Sequence, residues 1–316
     1  MGRIMTRSNP LKAALWMLGA VGSFALMAVA GRHILVVFNT FDLMLYRSLI
    51  GFVLVAAIVW RSPGGFARIR SRRPASHVRR NLFHYAGQNL WFFAVAAIPL
   101  SQLVALEFTN PLWVTLLAPA LLGERLTARG IAAALVGFLG VLIVARPGHA
   151  PLEAGHGAAL AAAVCFALNT IYTREIRSVD SVLCVLFWMT LSQGAMSLVL
   201  SLAFGGVPLP DAALVPWLGI VGLTGLSAHY SLTSALGHAP ATIVAPMEFI
   251  RLPVMAFLGA WLYGEDLGLA VFVGAVVILL GNLLNLGTAR PPAAPSVSTA
   301  KVLGDRRSEE PRREGP

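Results

Sequence analysis

The chain has 316 residues, 57% of them apolar and only 12% charged. A water-soluble domain carries about twice that share of charge, so a two-domain soluble protein is excluded and a membrane protein is indicated. The formal net charge of +10 does not point to nucleic acid. The 24 Lys and Arg lie almost entirely in loops and tails between apolar runs, which is a topology signal rather than a groove-binding face.

Ten apolar stretches have the length of a membrane-crossing helix. In chain order they are 11–31, 40–60, 82–99, 101–122, 129–146, 156–173, 181–204, 213–236, 241–263 and 268–287. Helices are required because lipid cannot satisfy open backbone groups, and the runs are continuous rather than alternating, unlike barrel strands. The first run follows Arg3, Arg7 and Lys12 and ends in Ala28-Val29-Ala30, a sequence that imitates a signal-peptide cleavage site. It is long for that role and is read as a retained span. Cys165 and Cys184 lie in or beside apolar runs, with no CxxC motif. No disulfide framework or metal site is expected from them.

Basic residues orient the spans. With the N-terminus in the cytoplasm, the internal segments hold the cluster from Arg61 to Arg80, Arg125, Arg129, Arg174 and Arg177. The external loops then hold only Arg32 and Arg146. This bias places both termini in the cytoplasm and the chain in the inner (plasma) membrane. The basic loop after the second span is expected to lie against anionic lipid headgroups. The Pro-rich, mixed-charge stretch 288–316 reads as a disordered cytoplasmic tail.

The runs form two copies of one module. Glu107-Phe108 recurs as Glu248-Phe249, 141 residues later; at the same offset Gly123-Glu124 matches Gly264-Glu265 and Gly140 matches Gly281. Five spans per copy is an odd number, so the second copy enters from the opposite side. The expected fold class is an all-α integral membrane protein of ten transmembrane helices in two inverted five-helix repeats. A tail at 1–10 precedes a first repeat at 11–146, and the second repeat is 156–287. Repeats around intramembrane carboxylates are a sequence sign of a secondary transporter.

Glu107 lies roughly 9 Å into the fourth span and Glu248 roughly 10 Å into the ninth from the other side, so mirrored depths are expected. Asn110 and Arg251 each follow their glutamate by three residues and share its helix face, so each copy is expected to present a carboxylate and a second polar group toward the same cavity. Glu248 and Arg251 could pair within one helix, or change partners when solute arrives. Arg47 could snorkel or neutralise Glu107. Pro111, Pro246 and Pro253 are expected to interrupt the same two helices. Gln88 and Trp91 share a stripe with His84, which is expected to face headgroups because it is near a span end. His229 and Tyr230 in the eighth span, with Asn169 and Tyr172 in the sixth, complete the candidate solute pocket. Gly19, Gly22 and Ser23, Gly137 and Gly140, and Gly274 and Gly281 are assigned to close helix packing.

The pattern resembles the drug/metabolite transporter superfamily in its ten-helix EamA-type branch. The resemblance rests on Tyr46-Arg47, Pro99-Leu100-Ser101, Pro111, Leu122-Gly123-Glu124-Arg125-Leu126, Gly130 and Gly137/Gly140. In the second copy it rests on Ala245-Pro246, Pro253, Tyr263-Gly264-Glu265 and Gly274/Gly281. It covers about residues 11 to 287. It implies a central cavity, alternating access and movement of small metabolites, amino acids, nucleoside-like compounds or drugs. The stretch Pro246 to Pro253 is also similar to members linked to riboflavin or S-adenosylmethionine.

No GxxxxGK[ST], HExxH or GxSxG motif occurs, so neither direct ATP coupling nor a familiar hydrolase site is indicated. No cofactor and no enzymatic activity are expected. The expected partners are a small-molecule solute, protons as a coupling ion and membrane lipids, with a homodimer left open. The competing readings are a membrane-embedded enzyme and a non-transporting assembly factor.

Overall fold

The computed structural model describes residues 9–122, 127–146, 152–177, 179–239, 241–266 and 268–286. Gly123-Glu124-Arg125-Leu126 and the tail at 288–316 lie outside the described residues. Among the described residues the regular structure is entirely helical. The helices are α1 (Pro10–Ile34), α2 (Thr40–Arg61), α3 (Pro74–Ala97), α4 (Leu100–Glu107), α5 (Asn110–Leu122), α6 (Ala128–Ala145), α7 (Ala154–Arg177), α8 (Val182–Ala203), α9 (Val215–His238), α10 (Ala241–Glu248), α11 (Arg251–Tyr263) and α12 (Leu269–Leu286). α4 with α5, and α10 with α11, are the two halves of single crossings, so ten rods cross the bundle.

Local chemistry sets the starts. Asn39, Thr127 and Ser181 accept backbone N–H groups of the first turns of α2, α6 and α8, satisfying donors that a helix start leaves unpaired. Pro10 and Pro74 open α1 and α3, where the missing N–H costs nothing. α3 begins eight residues before the apolar run at 82–99. Its first turns carry His77, Arg80 and Asn81, all buried against neighbouring helices, and a buried polar face does not register in hydropathy.

The rods pair across the two halves: α1 packs on α9, α3 on α7, α2 on α8 and α6 on α12. Exchanging the first five rods for the second five returns the same set, as expected of two inverted repeats. The α6–α12 contact is backbone against backbone. A Cβ on Gly140 would lie 2.6 Å from the Gly274 carbonyl oxygen, and one on Gly274 would lie 2.7 Å from that of Gly140. Gly22, assigned to packing from sequence, faces open space, where a Cβ would meet nothing within 4 Å, whereas Gly19 faces Ser231.

Large apolar side chains cover the outside: Val53, Leu135, Leu139, Leu142, Val199 and Trp261 are all more than half exposed. Such a surface suits lipid rather than water. His77, Arg80, Asn81, His84 and Gln88 of α3 turn inward instead.

The two ends differ. At the end holding the α1 N-terminus, Arg73 and Arg79 pair with Glu175 at 3.4 and 2.9 Å, and His77 meets Asp180 at 2.8 Å. Part of the basic loop is thus spent on the protein's own acids. Burial opposes ionisation of Asp180, but hydrogen bonds from Ser71 and His77 and the charges of His77 and Arg73 outweigh it, holding its carboxyl below the usual range. The fold also brings Cys184 beside His77 and Asp180, a grouping invisible in the sequence. The Cys184 thiol donates to the Ile69 carbonyl at 3.4 Å.

Candidate functional site

The two interrupted crossings are the centre of the structure. α4 stops at Glu107 and α5 restarts at Asn110; α10 stops at Glu248 and α11 restarts at Arg251. Prolines do not make these breaks by lying in mid-helix. Pro111 and Pro253 occupy the first turns of α5 and α11, where proline is tolerated. In an unbroken helix the N–H of residue 111 would bond to the Glu107 carbonyl, and proline has none. The first break is held from outside as well. Thr109 Oγ1 donates to the Leu106 carbonyl at 2.7 Å, and Asn282 Nδ2 of α12 donates to the Phe108 carbonyl at 2.9 Å.

The breaks meet. The Phe108 and Phe249 rings lie 4.3 Å apart, and Arg251 Nη2 sits 2.9 Å from Glu107 Oε1. Both glutamates therefore line one cavity, which they enter from the two opposite crossings. Arg251 is 2% exposed. It pairs with the glutamate of the opposite repeat rather than with Glu248 of its own crossing, and it lies over the Phe24 and Phe108 rings at 4.8 and 5.0 Å. A planar guanidinium suits such stacking. The second oxygen of Glu107 accepts from Trp91 Nε1 at 2.9 Å. Arg47 does not neutralise Glu107. It donates to Gln88 Oε1 at 3.1 Å.

The cavity has a volume of about 370 Å³. Glu107, Asn110, Glu248, Arg251, Gln88, Trp91, His229 and Asn169 all line it. Tyr230 and Tyr172 do not. Tyr230 is 66% exposed and packs edge-on against Trp16; Tyr172 stacks on Phe83 beneath Arg79. Each tyrosine lies near a lining residue in sequence, Tyr230 next to His229 and Tyr172 three residues after Asn169, but on a part of its helix that turns away from the cavity. His84 is buried and lines the cavity, with Nδ1 2.8 Å from Gln193 Nε2. It is not a headgroup contact, because α3 extends two turns beyond it. Sequence reasoning missed the aromatic wall of Phe24, Phe92, Phe108, Phe166 and Phe249, along with Thr170 and Asn282. Phe24, Phe92 and Phe166 carry no positional signal in an apolar helix, whereas the repeat-related Phe108 and Phe249 and the asparagine within the apolar run of α12 do.

At the end opposite the α1 N-terminus a second cluster closes the bundle. Gly264 terminates α11 at φ 66°, a left-handed conformation that glycine adopts without strain. Glu265 then folds back into space left by Gly259 and ion-pairs with Arg32 of α1. Glu265 also accepts from the Leu100 N–H at 2.8 Å. Arg32 donates to the Val95 and Ile98 carbonyls, each at 2.6 Å, and covers the Tyr263 ring at 4.5 Å.

Inverted five-helix repeats, with broken helices meeting in a polar and aromatic cavity, are the architecture of a membrane transport protein. The comparisons with known proteins specify which kind. The model of the EamA-like transporter family matches residues 11–146 and 154–287, and the chain belongs to that family. It is 25% identical over 278 residues to a riboflavin transporter of Rhizobium johnstonii, covering 87% of this chain and 91% of that protein. It is 22% identical over 274 residues to an S-adenosylmethionine uptake transporter of Rickettsia prowazekii, covering 86% and 92%. A solved crystal structure at 19% identity superposes with a TM-score of 0.58, covering 96% of this chain and 100% of that one, and shows the same fold.

Proposed function

We propose that this chain is a secondary transporter that carries a small planar, ring-bearing metabolite across the inner membrane by alternating access. Both termini then lie in the cytoplasm. The observation that carries the reading is the meeting of both helix breaks in one cavity, with an aromatic wall and an arginine–glutamate pair. Broken helices expose backbone groups and end charges at the bundle centre, where a solute can be held without lipid contact. The cavity volume is within the range of small-molecule sites. Phenylalanine faces and Trp91 offer stacking; Asn110, Asn169, Gln88 and His229 offer directional hydrogen bonds. The names of the relatives, which concern riboflavin and S-adenosylmethionine, support a ring-bearing, vitamin- or cofactor-like solute.

In this mechanism Glu107 and Glu248 share the single cation Arg251 and carry the coupling proton. Protonation of either carboxylate changes how firmly Arg251 is held and so links proton movement to solute release. The test is uptake of riboflavin and S-adenosylmethionine into liposomes containing the purified protein, with and without an imposed pH gradient. Saturable, gradient-sensitive uptake of either compound is expected. If folded protein neither moves nor is thermally stabilised by these or a wider panel of ring-bearing metabolites, the reading fails. Reporter fusions after residues 70 and 290 should both report cytoplasm; an external signal at either overturns the orientation.

A further inference from the structure

Buried arginines of this bundle keep different company. Arg251 has Glu107. Arg47 and Arg80, each 6% exposed, pair with no carboxylate among the described residues. Arg47 bonds Gln88, and its Nε is buried without a partner. Arg80 donates to Thr173 Oγ1 at 3.1 Å and Asn81 Oδ1 at 2.9 Å. Asp42 is buried on the same helix as Arg47 but lies about 7.5 Å of helical rise away, without forming an ion pair to it. Arginine cannot shed its charge, and a buried cation with only neutral partners is costly.

Arg47 and Arg80 do not line the cavity themselves but stand behind residues that do, Arg47 bonded to Gln88 and Arg80 one helical turn from His84. The Arg47 guanidinium reaches Gln88 on α3 and packs against Gly225 on α9, where a Cβ would lie 2.7 Å from Nη2. One turn further along each helix stand His84 and His229, with ring centroids 6.0 Å apart. Arg80 is one more turn along α3. The neutral groups in front are turned to donate. Arg47 can only donate, so it claims the Gln88 carbonyl oxygen and leaves the Gln88 amide N–H groups free to face forward. Gln193 Nε2 donates to His84 Nδ1, so neutral His84 carries its proton on Nε2. His229 has no side-chain hydrogen-bond partner among the described residues and lines the same cavity.

We propose that His84, Gln88 and His229, backed by Arg47 and Arg80, form a subsite for an anionic oxygen group, a carboxylate or a phosphate. The group is carried by the solute or supplied as a free anion. The cavity is then polarised, with two carboxylates sharing one cation at one wall and two unpaired cations behind the other. This deepens the transporter reading and rests on it only for the role of the cavity, because its test reads binding rather than transport.

Purified full-length protein is melted in detergent at constant ionic strength with inorganic phosphate, chloride, benzoate or phenyl phosphate as probe. A matching anion at about 100 times its Kd should raise Tm by about 5 °C. Response to chloride and inorganic phosphate identifies a free anion as occupant; response to benzoate or phenyl phosphate alone identifies an acid borne by the solute's ring. Gln88→Glu is the decisive variant. It places a carboxylate beside Arg47, so it should melt higher than wild type without any anion and lose the anion response. Arg47→Gln should lose the response too. If wild type responds to none of the four probes, or Gln88→Glu responds as wild type does, the subsite does not exist.

Discussion

The crossings α4–α5 and α10–α11 share a backbone plan and differ in charge. Both stop at Glu-Phe, both turn over two residues, and both restart with proline in the first turn. At the restart one carries Asn110 and the other Arg251. Asn110 spends its amide on the Ala163 carbonyl at 3.2 Å, a bond between helices. Arg251 reaches across to the other repeat and stacks on two rings. The repeat thus supplies symmetric scaffolding, and the difference between Asn110 and Arg251 at one symmetric position makes the cavity asymmetric in charge.

The largest effect should come from that position. Arg251→Ala leaves Glu107 with only Trp91 and should destabilise the protein by about 3–5 kcal/mol, the cost of breaking a buried pair. Arg251→Lys should fold, because the charge is kept, but should raise the KM for solute at least about tenfold, since lysine lacks the planar fork and the stacking face. Asn110→Ala should cost only about 1 kcal/mol, one hydrogen bond. Denaturant melts with uptake kinetics check all three. Equal losses at positions 110 and 251 would mean that the charge difference carries no function.

A smaller asymmetry is expected between the glutamates. Glu107→Gln removes the counter-ion of a buried arginine, whereas Glu248→Gln leaves the Glu107–Arg251 pair intact. Both should flatten the pH dependence of uptake, and Glu107→Gln should also lower solute affinity more. Normal pH dependence in both variants would remove the carboxylates from coupling.

The smallest difference should appear where the repeats touch symmetrically. Gly140 and Gly281 are the positions related by the repeat; a Cβ there would lie 2.6 Å from the Gly274 carbonyl oxygen and 2.8 Å from that of Ala133, so Gly140→Ala and Gly281→Ala should each cost about 1–3 kcal/mol and the two costs should agree to within about 0.5 kcal/mol. Clearly unequal losses in denaturant melts would show that the twofold relation fails at the α6–α12 contact.

Much of this was legible in the sequence, for reasons that can be named. Glu107 and Glu248 stood out because a carboxylate in an apolar run is rare, and their common offset exposed the repeat. Gly140 and Gly274 were legible as small residues in large-residue helices. Pro111 and Pro253 look like the breakers in the sequence; in the structure each sits in the first turn after its break, and the first break is also held by Thr109 and by Asn282 of another helix. The pairing of Arg251 with Glu107 rather than Glu248 depends on how the two repeats lean together, which no spacing within one repeat encodes. Tyr230 and Tyr172 lie outside the cavity because residue spacing marks a neighbourhood on a helix, whereas packing decides which neighbour turns inward. His84 failed because α3 continues through charged residues that hydropathy assigns to a loop.

The Arg32–Glu265 clasp carries a consequence for hydration. Arg32 satisfies the carbonyls of Val95 and Ile98 at the end of α3, and Glu265 satisfies the first N–H of α4. When this end opens, those groups lose their partners together, and lipid can replace none of them. Water must therefore flood the bundle as deep as the α3–α4 junction before the cavity can face that side. Under the alternating access proposed above, opening of this end would be a wetting event, and osmolytes that withdraw water should slow it.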